Sequence, residues 1–169
     1  TAGSCGILPG CLVSMYEDGD IPKREVVMSI FTAGAFGMVI ANTASIAGAS
    51  GGCQAECGSA SGMAAAALVE LSGGTPTQCG YALGMAIVNQ LGLVCDPVAG
   101  LVEIPCIKRN ASGVMIAFSS ADMALSGIDL KIPVDEGIAA MKAVGDSMAP
   151  ALKETALGGL AASPTGIRL

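Results

Sequence analysis

The chain has 169 residues, of which 52% are hydrophobic and 13% charged, about half the charged share usual for a soluble domain. That length is one domain, residues 1–169, with room for its own core. A net charge of −6, eight scattered Lys and Arg residues and no aromatic platform exclude a nucleic-acid surface, and an odd seven cysteines exclude a disulfide framework that uses them all.

In chain order, Thr1-Ala2-Gly3-Ser4-Cys5-Gly6 reads as a glycine loop leading into a short helix through Ile7, Leu8, Leu12 and Val13. Pro22 follows a polar turn and opens a helix from about Lys23 to Ile40, with Val27, Ile30, Phe31 and Gly34 spaced along one inner face. The run Ala47 to Gly52 breaks it. The next helix is expected from Gly51 or Gly52, with Ser50 as N-cap and Met63, Ala67 and Leu71 inward. Gly73-Gly74 ends it. Thr75-Pro76 caps a further helix to about Leu91, whose stripe of Ala82, Met85, Ala86 and Asn89 makes Asn89 a core amide. Pro97, Gly100 and Pro105 make 93–106 a loop or a short strand-like excursion. A helix from Ile107 to about Ser126 follows, and Pro133 opens a last one towards Leu152. The tail from Gly158 to Gly166 is irregular, mobile or docked on a partner.

No segment alternates with period two, so the fold class is all-α: a compact helical bundle with a glycine/proline-rich loop. Ala, Gly, Val, Leu, Ile and Met must build its core, and small side chains let helices approach closely. Two uncharged stretches, Val26–Ala55 and Leu71–Cys95, are each long enough to cross a bilayer. Polar residues interrupt both, and neither has an aromatic belt or a Lys/Arg asymmetry. Buried helices of a soluble assembly fit them better than membrane spans. The apolar excess predicts a covered face, on another domain or a second copy of the chain.

Cys53, Cys95 and Cys106 each stand where a helix begins or the backbone breaks. Thiolates are soft metal ligands, and histidine is absent, so a transition metal or cluster would be held largely by sulfur. With the helix starting at Gly51 or Gly52, the Cys53 sulfur would face unpaired N–H groups and the positive end of the helix dipole. The long intervals lack the compact spacing of zinc or ferredoxin motifs, and buried structural thiols remain the other reading. Cys11 and Cys79 read as core, and Cys57 as a buried neighbour of Cys53 or a pocket wall.

The runs Gly51-Gly52-Cys53-Gln54-Ala55-Glu56, Gly73-Gly74-Thr75-Pro76, Cys95-Asp96-Pro97-Val98-Ala99-Gly100, Pro105-Cys106 and Arg109-Asn110-Ala111 closely resemble the iron–sulfur-dependent L-serine dehydratases. The match is to the cluster-bearing α domain or α chain and extends through nearly the whole sequence. The resemblance implies a [4Fe–4S] cluster on Cys53, Cys95 and Cys106, with one iron left open as a Lewis acid for the hydroxyl of L-serine. Pyruvate and ammonia are the implied products. It implies a β subunit or β domain that supplies a histidine base, an upstream portion of the α domain, and an isolated chain that is inert. A cytoplasmic homo-oligomer with reduced thiols is the expected setting.

The candidate substrate-binding residues are Ser4, Gln54, Glu56 and Asn110. Ser4 and the loop around it either receive a carboxylate or form a plain turn. Glu56 either binds the substrate ammonium or completes a capping box near Ser50 or Cys53. Gln54 and Asn110 are candidate donors to cluster sulfides or substrate. Lys108-Arg109 either attracts a carboxylate or is solvated or salt-bridged. The competing function is a helical interaction module whose thiols are merely buried.

Overall fold

A computed structural model describes residues 2–169 and, among them, seven α-helices and no β-strand. The helices are α1 (Ile7–Asp18), α2 (Lys23–Thr43), α3 (Gly48–Gly51), α4 (Ser59–Leu71), α5 (Pro76–Val88), α6 (Cys106–Leu125) and α7 (Val134–Ser147). A π-helical stretch, Gln54–Gly58, leads directly into α4.

The fold is organised around α4, which packs against α1, α2, α5 and α6. Its run Ala64–Val69 is buried throughout, because alanine presents little on any face and neighbours can close in from all sides. Glycines serve the same end on the partners. A Cβ at Gly37 of α2 would lie 2.8 Å from Met63, and one at Gly113 of α6 would lie 2.5 Å from Ile7 and 2.9 Å from the Ser61 hydroxyl.

Thr75 caps α5 as expected, in a capping box. The Gln78 N–H donates to Thr75 Oγ1 at 3.3 Å, and the Thr75 N–H donates to Gln78 Oε1 at 2.9 Å. Gln78 Nε2 also donates to the Ala124 carbonyl at 3.1 Å, fastening the start of α5 to the end of α6.

Several local expectations are corrected. Val27, Ile30 and Phe31 of α2 are exposed, and Ser29, Ala33 and Ile40 are the buried residues instead. The bulky stripe lies off the contact with α4 because small residues, Ala33 against Ala67 and Gly37 against Met63, make the close approach there. By length and composition α2 could cross a membrane, and only 17% of its most apolar 18-residue window is buried. Helix α5 stops at Val88, which leaves Asn89 exposed, while Gln90 is buried. Helix α7 ends at Ser147 because Ala149 precedes Pro150 and takes an extended conformation, ψ 141°.

The C-terminal segment docks on its own chain. The Cys95 N–H donates to the Leu152 carbonyl at 2.9 Å, the Glu154 N–H to the Cys95 carbonyl at 2.7 Å, and the Leu160 N–H to Asp96 Oδ2 at 2.7 Å.

Close approach around α4 sets the stability of this fold. Gly113→Val should destabilise it by about 1–3 kcal/mol through overpacking. Gly80→Ala, where an added Cβ meets nothing within 4 Å, should stabilise α5 by up to about 1 kcal/mol. Thermal midpoints of the two variants should move in opposite directions.

Candidate metal centre

The backbone brings Cys53 and Cys95 together. The chain turns at Gly52, where φ is +76°, and Cys53 begins the helical path into α4. The Gln54 N–H then donates to the Leu93 carbonyl at 2.8 Å. This bond lays the loop carrying Cys95 across the helix start. It also replaces the expected cap, since the Ser50 hydroxyl pairs with Ser45 and with the Ala47 carbonyl. The two cysteine sulfurs and a Glu56 carboxylate oxygen lie within 4.8 Å of one another, all buried. Gly48 forms the wall behind them. A Cβ there would sit 2.7 Å from Cys95 Sγ and 2.9 Å from Glu56 Oε2.

Of the three expected ligands, only Cys95 lies within the loop. Cys106 is the first residue of α6, with its thiol buried. It stands outside the Cys53–Glu56–Cys95 trio but close enough to feel the charge on Cys53. Burial, and then repulsion from Cys53, raise its pKa, while Arg109 pulls the other way. Cys57, one turn after Cys53, is buried and hydrogen-bonds to it.

The thiols of Cys53, Cys57 and Cys95 perturb one another. Hydrogen bonds from Cys57 and then Cys95 hold the Cys53 thiol well below its usual pKa, aided by Arg109 and opposed by burial. Cys57 and Cys95 are pushed far up by donating to that thiolate, by burial and by its repulsion. Sulfur and arginine donors therefore stabilise the Cys53 thiolate, in place of the open helix N-terminus that was expected. Such a donor set fits a thiophilic metal or cluster, which would take the place of the shared protons. By contrast, burial alone pushes the Cys11 thiol up to about 12, as befits a core residue.

Of the readings open for Lys108-Arg109, Lys108 is exposed and Arg109 takes the salt-bridged one. Its Nη1 donates to the Val94 carbonyl at 2.8 Å and to Cys53 Sγ at 3.4 Å, and its Nη2 pairs with Asp96 Oδ1 at 2.9 Å. Burial disfavours its charge, but Cys53 and Asp96 more than offset this, so its pKa rises. Its bond to Cys53 was not foreseen, and the signal for it was the position of Arg109 three residues after Cys106 and so on a nearby helical face.

The opening loop is pinned beside this centre. The Gly3 N–H donates to Glu56 Oε1 at 2.9 Å, so Glu56 accepts from that loop rather than from a neighbour in a capping box. Asn110 Nδ2 donates to the carbonyls of Gly3 at 2.7 Å and Cys106 at 2.8 Å, and its Oδ1 accepts from the Gly6 N–H at 2.9 Å. Gln54 donates to the carbonyls of Gly51 at 3.0 Å and Met141 at 2.8 Å and accepts from the Gly92 N–H at 2.9 Å. Both amides thus spend their hydrogens on backbone and position segments around the sulfurs. Buried Ser4 and exposed Cys5 line a cleft of about 520 Å³ that reaches Glu56 between α1, α2 and α4. Ser59 lines it too, with a buried hydroxyl that has no partner.

The helical fold thus sets a sulfur-rich, carboxylate-edged centre beside an open cleft. Residues 1–161 match the family described as "Serine dehydratase alpha chain". The whole chain is 59% identical to the "Probable L-serine dehydratase, alpha chain" of Bacillus subtilis (strain 168), covering 56% of that relative. It is 58% identical to a protein of the same description from Latilactobacillus sakei, covering 81% of it. It is 54% identical to the "L-serine dehydratase, alpha chain" of Peptoniphilus asaccharolyticus, covering 58%. The chain belongs to the serine dehydratase alpha chain family.

Asn110→Ala removes two hydrogen bonds that tie the opening loop to α6, at Gly3 and Gly6, and a third to Cys106 within α6. A loss of about 1–3 kcal/mol is expected, since the Gly3 and Cys106 carbonyls lose their donor in partly buried hydrogen bonds. Hydrogen exchange should quicken at the Gly6 amide and stay slow in the middle of α5.

Proposed function

We propose that this chain is the cluster-holding part of an L-serine ammonia-lyase, converting L-serine to pyruvate and ammonia. The observation carrying this reading is the convergence of Cys53, Cys95 and Glu56 in a chain of this family. Cys53, Cys95 and Cys106 would hold a [4Fe–4S] cluster. When bound, it supplies an iron without a cysteine ligand, a Lewis acid for the hydroxyl that leaves.

The chain's own residues bind and orient the substrate. The cleft delivers a small hydroxy-amino acid to Glu56, whose carboxylate attracts the ammonium. Ser4 offers a hydroxyl to the substrate carboxylate, on a loop that Asn110 and Glu56 hold in place. The remainder of the cleft wall is apolar, with Leu8, Ala60 and Met63 among its residues. Loss of the α-proton and of hydroxide leaves an aminoacrylate, which tautomerises and hydrolyses to the products. The proton must go to a base. The resemblance to the family puts that base, a histidine, on a β subunit or β domain that would close over the cleft, and this chain has no histidine of its own. All seven cysteines are free, which suits a reducing, cytoplasmic setting, and the exposed apolar face of α2 suits an assembly of more than one domain or copy.

Anaerobic reconstitution with iron and sulfide should give a brown protein with about four irons per chain. Cys53→Ser, Cys95→Ser and Cys106→Ser should each abolish the colour, and with it serine-dependent pyruvate formation in the presence of the β partner. Cys79→Ser should retain both. Loss of colour in Cys79→Ser, or its persistence in Cys95→Ser, would overturn the ligand assignment. Gly48→Ala, whose methyl would press between Cys95 and Glu56, should take up less iron while its helical circular dichroism is unchanged.

A further inference from the structure

We infer that Arg109 is the positioning residue of the sulfur centre, with a single guanidinium holding the three cysteine-bearing segments in register. The inference rests on the cluster reading above but begins from bonds present without any metal. Arg109 lies on α6 one turn after Cys106, donates to Cys53 itself, and grips the Cys95 loop on both sides, at the Val94 carbonyl and the Asp96 carboxylate. Among the described residues no other side chain hydrogen-bonds to all three segments.

The energetics favour positioning over stability. The side chains of Arg109 and Asp96 are 17% and 4% exposed, and a pair this desolvated contributes little net stability compared with apolar residues of like size. An apolar pair, however, has no N–H to donate to sulfur and none for the Val94 carbonyl. Lysine could not substitute either, because its single nitrogen cannot span the three acceptors that the planar fork reaches. Asp96 fixes the fork from behind and is itself fixed. The Leu160 N–H donates to its second oxygen, and a Cβ at Gly159 would collide with the same carboxylate. The Leu152–Glu154 backbone brackets Cys95 from the far side. The C-terminal strap, Asp96 and Arg109 therefore form one chain of contacts ending on Cys53.

The test uses the intact chain in its native assembly, with Arg109→Lys, Arg109→Met and Asp96→Asn, and Lys108→Met at the exposed neighbouring position as control. After anaerobic reconstitution, iron loss to a chelator should be about 10-fold faster in both Arg109 variants, the usual cost of removing a partner that orients a metal ligand. Their reduction potential should fall, because an N–H···S bond favours the more negative reduced cluster. Asp96→Asn should move the same way, and Lys108→Met should match the parent. In the metal-free protein, hydrogen exchange at the Gln54 and Cys95 amides, which donate to the Leu93 and Leu152 carbonyls, should be about 10-fold faster in both Arg109 variants, with the middle of α5 unchanged. Iron retention and exchange at parental values in both Arg109 variants would overturn the inference. So would equally faster exchange in the middle of α5, which would make Arg109 a residue of the whole fold. If the parent itself takes up no cluster, the cluster reading fails, and the exchange result alone decides the role of Arg109.

Discussion

The contact on which the centre turns is between one guanidinium and one sulfur. Three thiols buried from water resist ionisation, since each charge loses its hydration and repels the next. The S–H groups of Cys57 and then Cys95 do most to offset these costs at Cys53, and the charge and N–H of Arg109 add to their effect. Because the same guanidinium also bonds to Val94 and Asp96, electrostatics and backbone placement are coupled. The loop cannot drift without exposing a charge, and the charge cannot be lost without releasing the loop.

That arrangement depends in turn on the alanine-rich core. Helix α4 can be surrounded by four neighbours only because its side chains are small, and this brings α6, the opening loop and the 93–106 segment to one end of the bundle. Little bulk remains to fill gaps, so polar side chains fasten the periphery. Gln54 joins Gly51, Gly92 and Met141; Asn110 joins Gly3, Gly6 and Cys106; Gln78 joins α5 to α6. The same economy of bulk leaves a bare face. Phe31 and Met38 of α2 are well exposed, as the apolar excess of the composition led one to expect.

How much of the site was legible differs residue by residue. Cys53 and Cys95 could be picked out because they sit at glycine and proline breaks, and the structure joins them. The role of Glu56 was open between substrate and cap, and the first bond it makes is to the distant Gly3 N–H. Ser50 had the local chemistry of a cap, but the Leu93 carbonyl, 39 residues from Gln54, took that place. Val27, Ile30 and Phe31 had the right period and lie on the wrong side, because periodicity locates a stripe without saying which neighbour it must meet.

By itself the sequence determined the helical class, the capping of α5 at Thr75, the thiol-rich chemistry and the family resemblance. These follow from local spacing and residue type, which act over a turn or two of backbone. Only the tertiary structure decided which face of α2 is buried, that the tail docks on Asp96, and that Arg109 meets Cys53. Each of those joins residues dozens of positions apart, where geometry depends on the packing of whole helices and no short pattern carries the information.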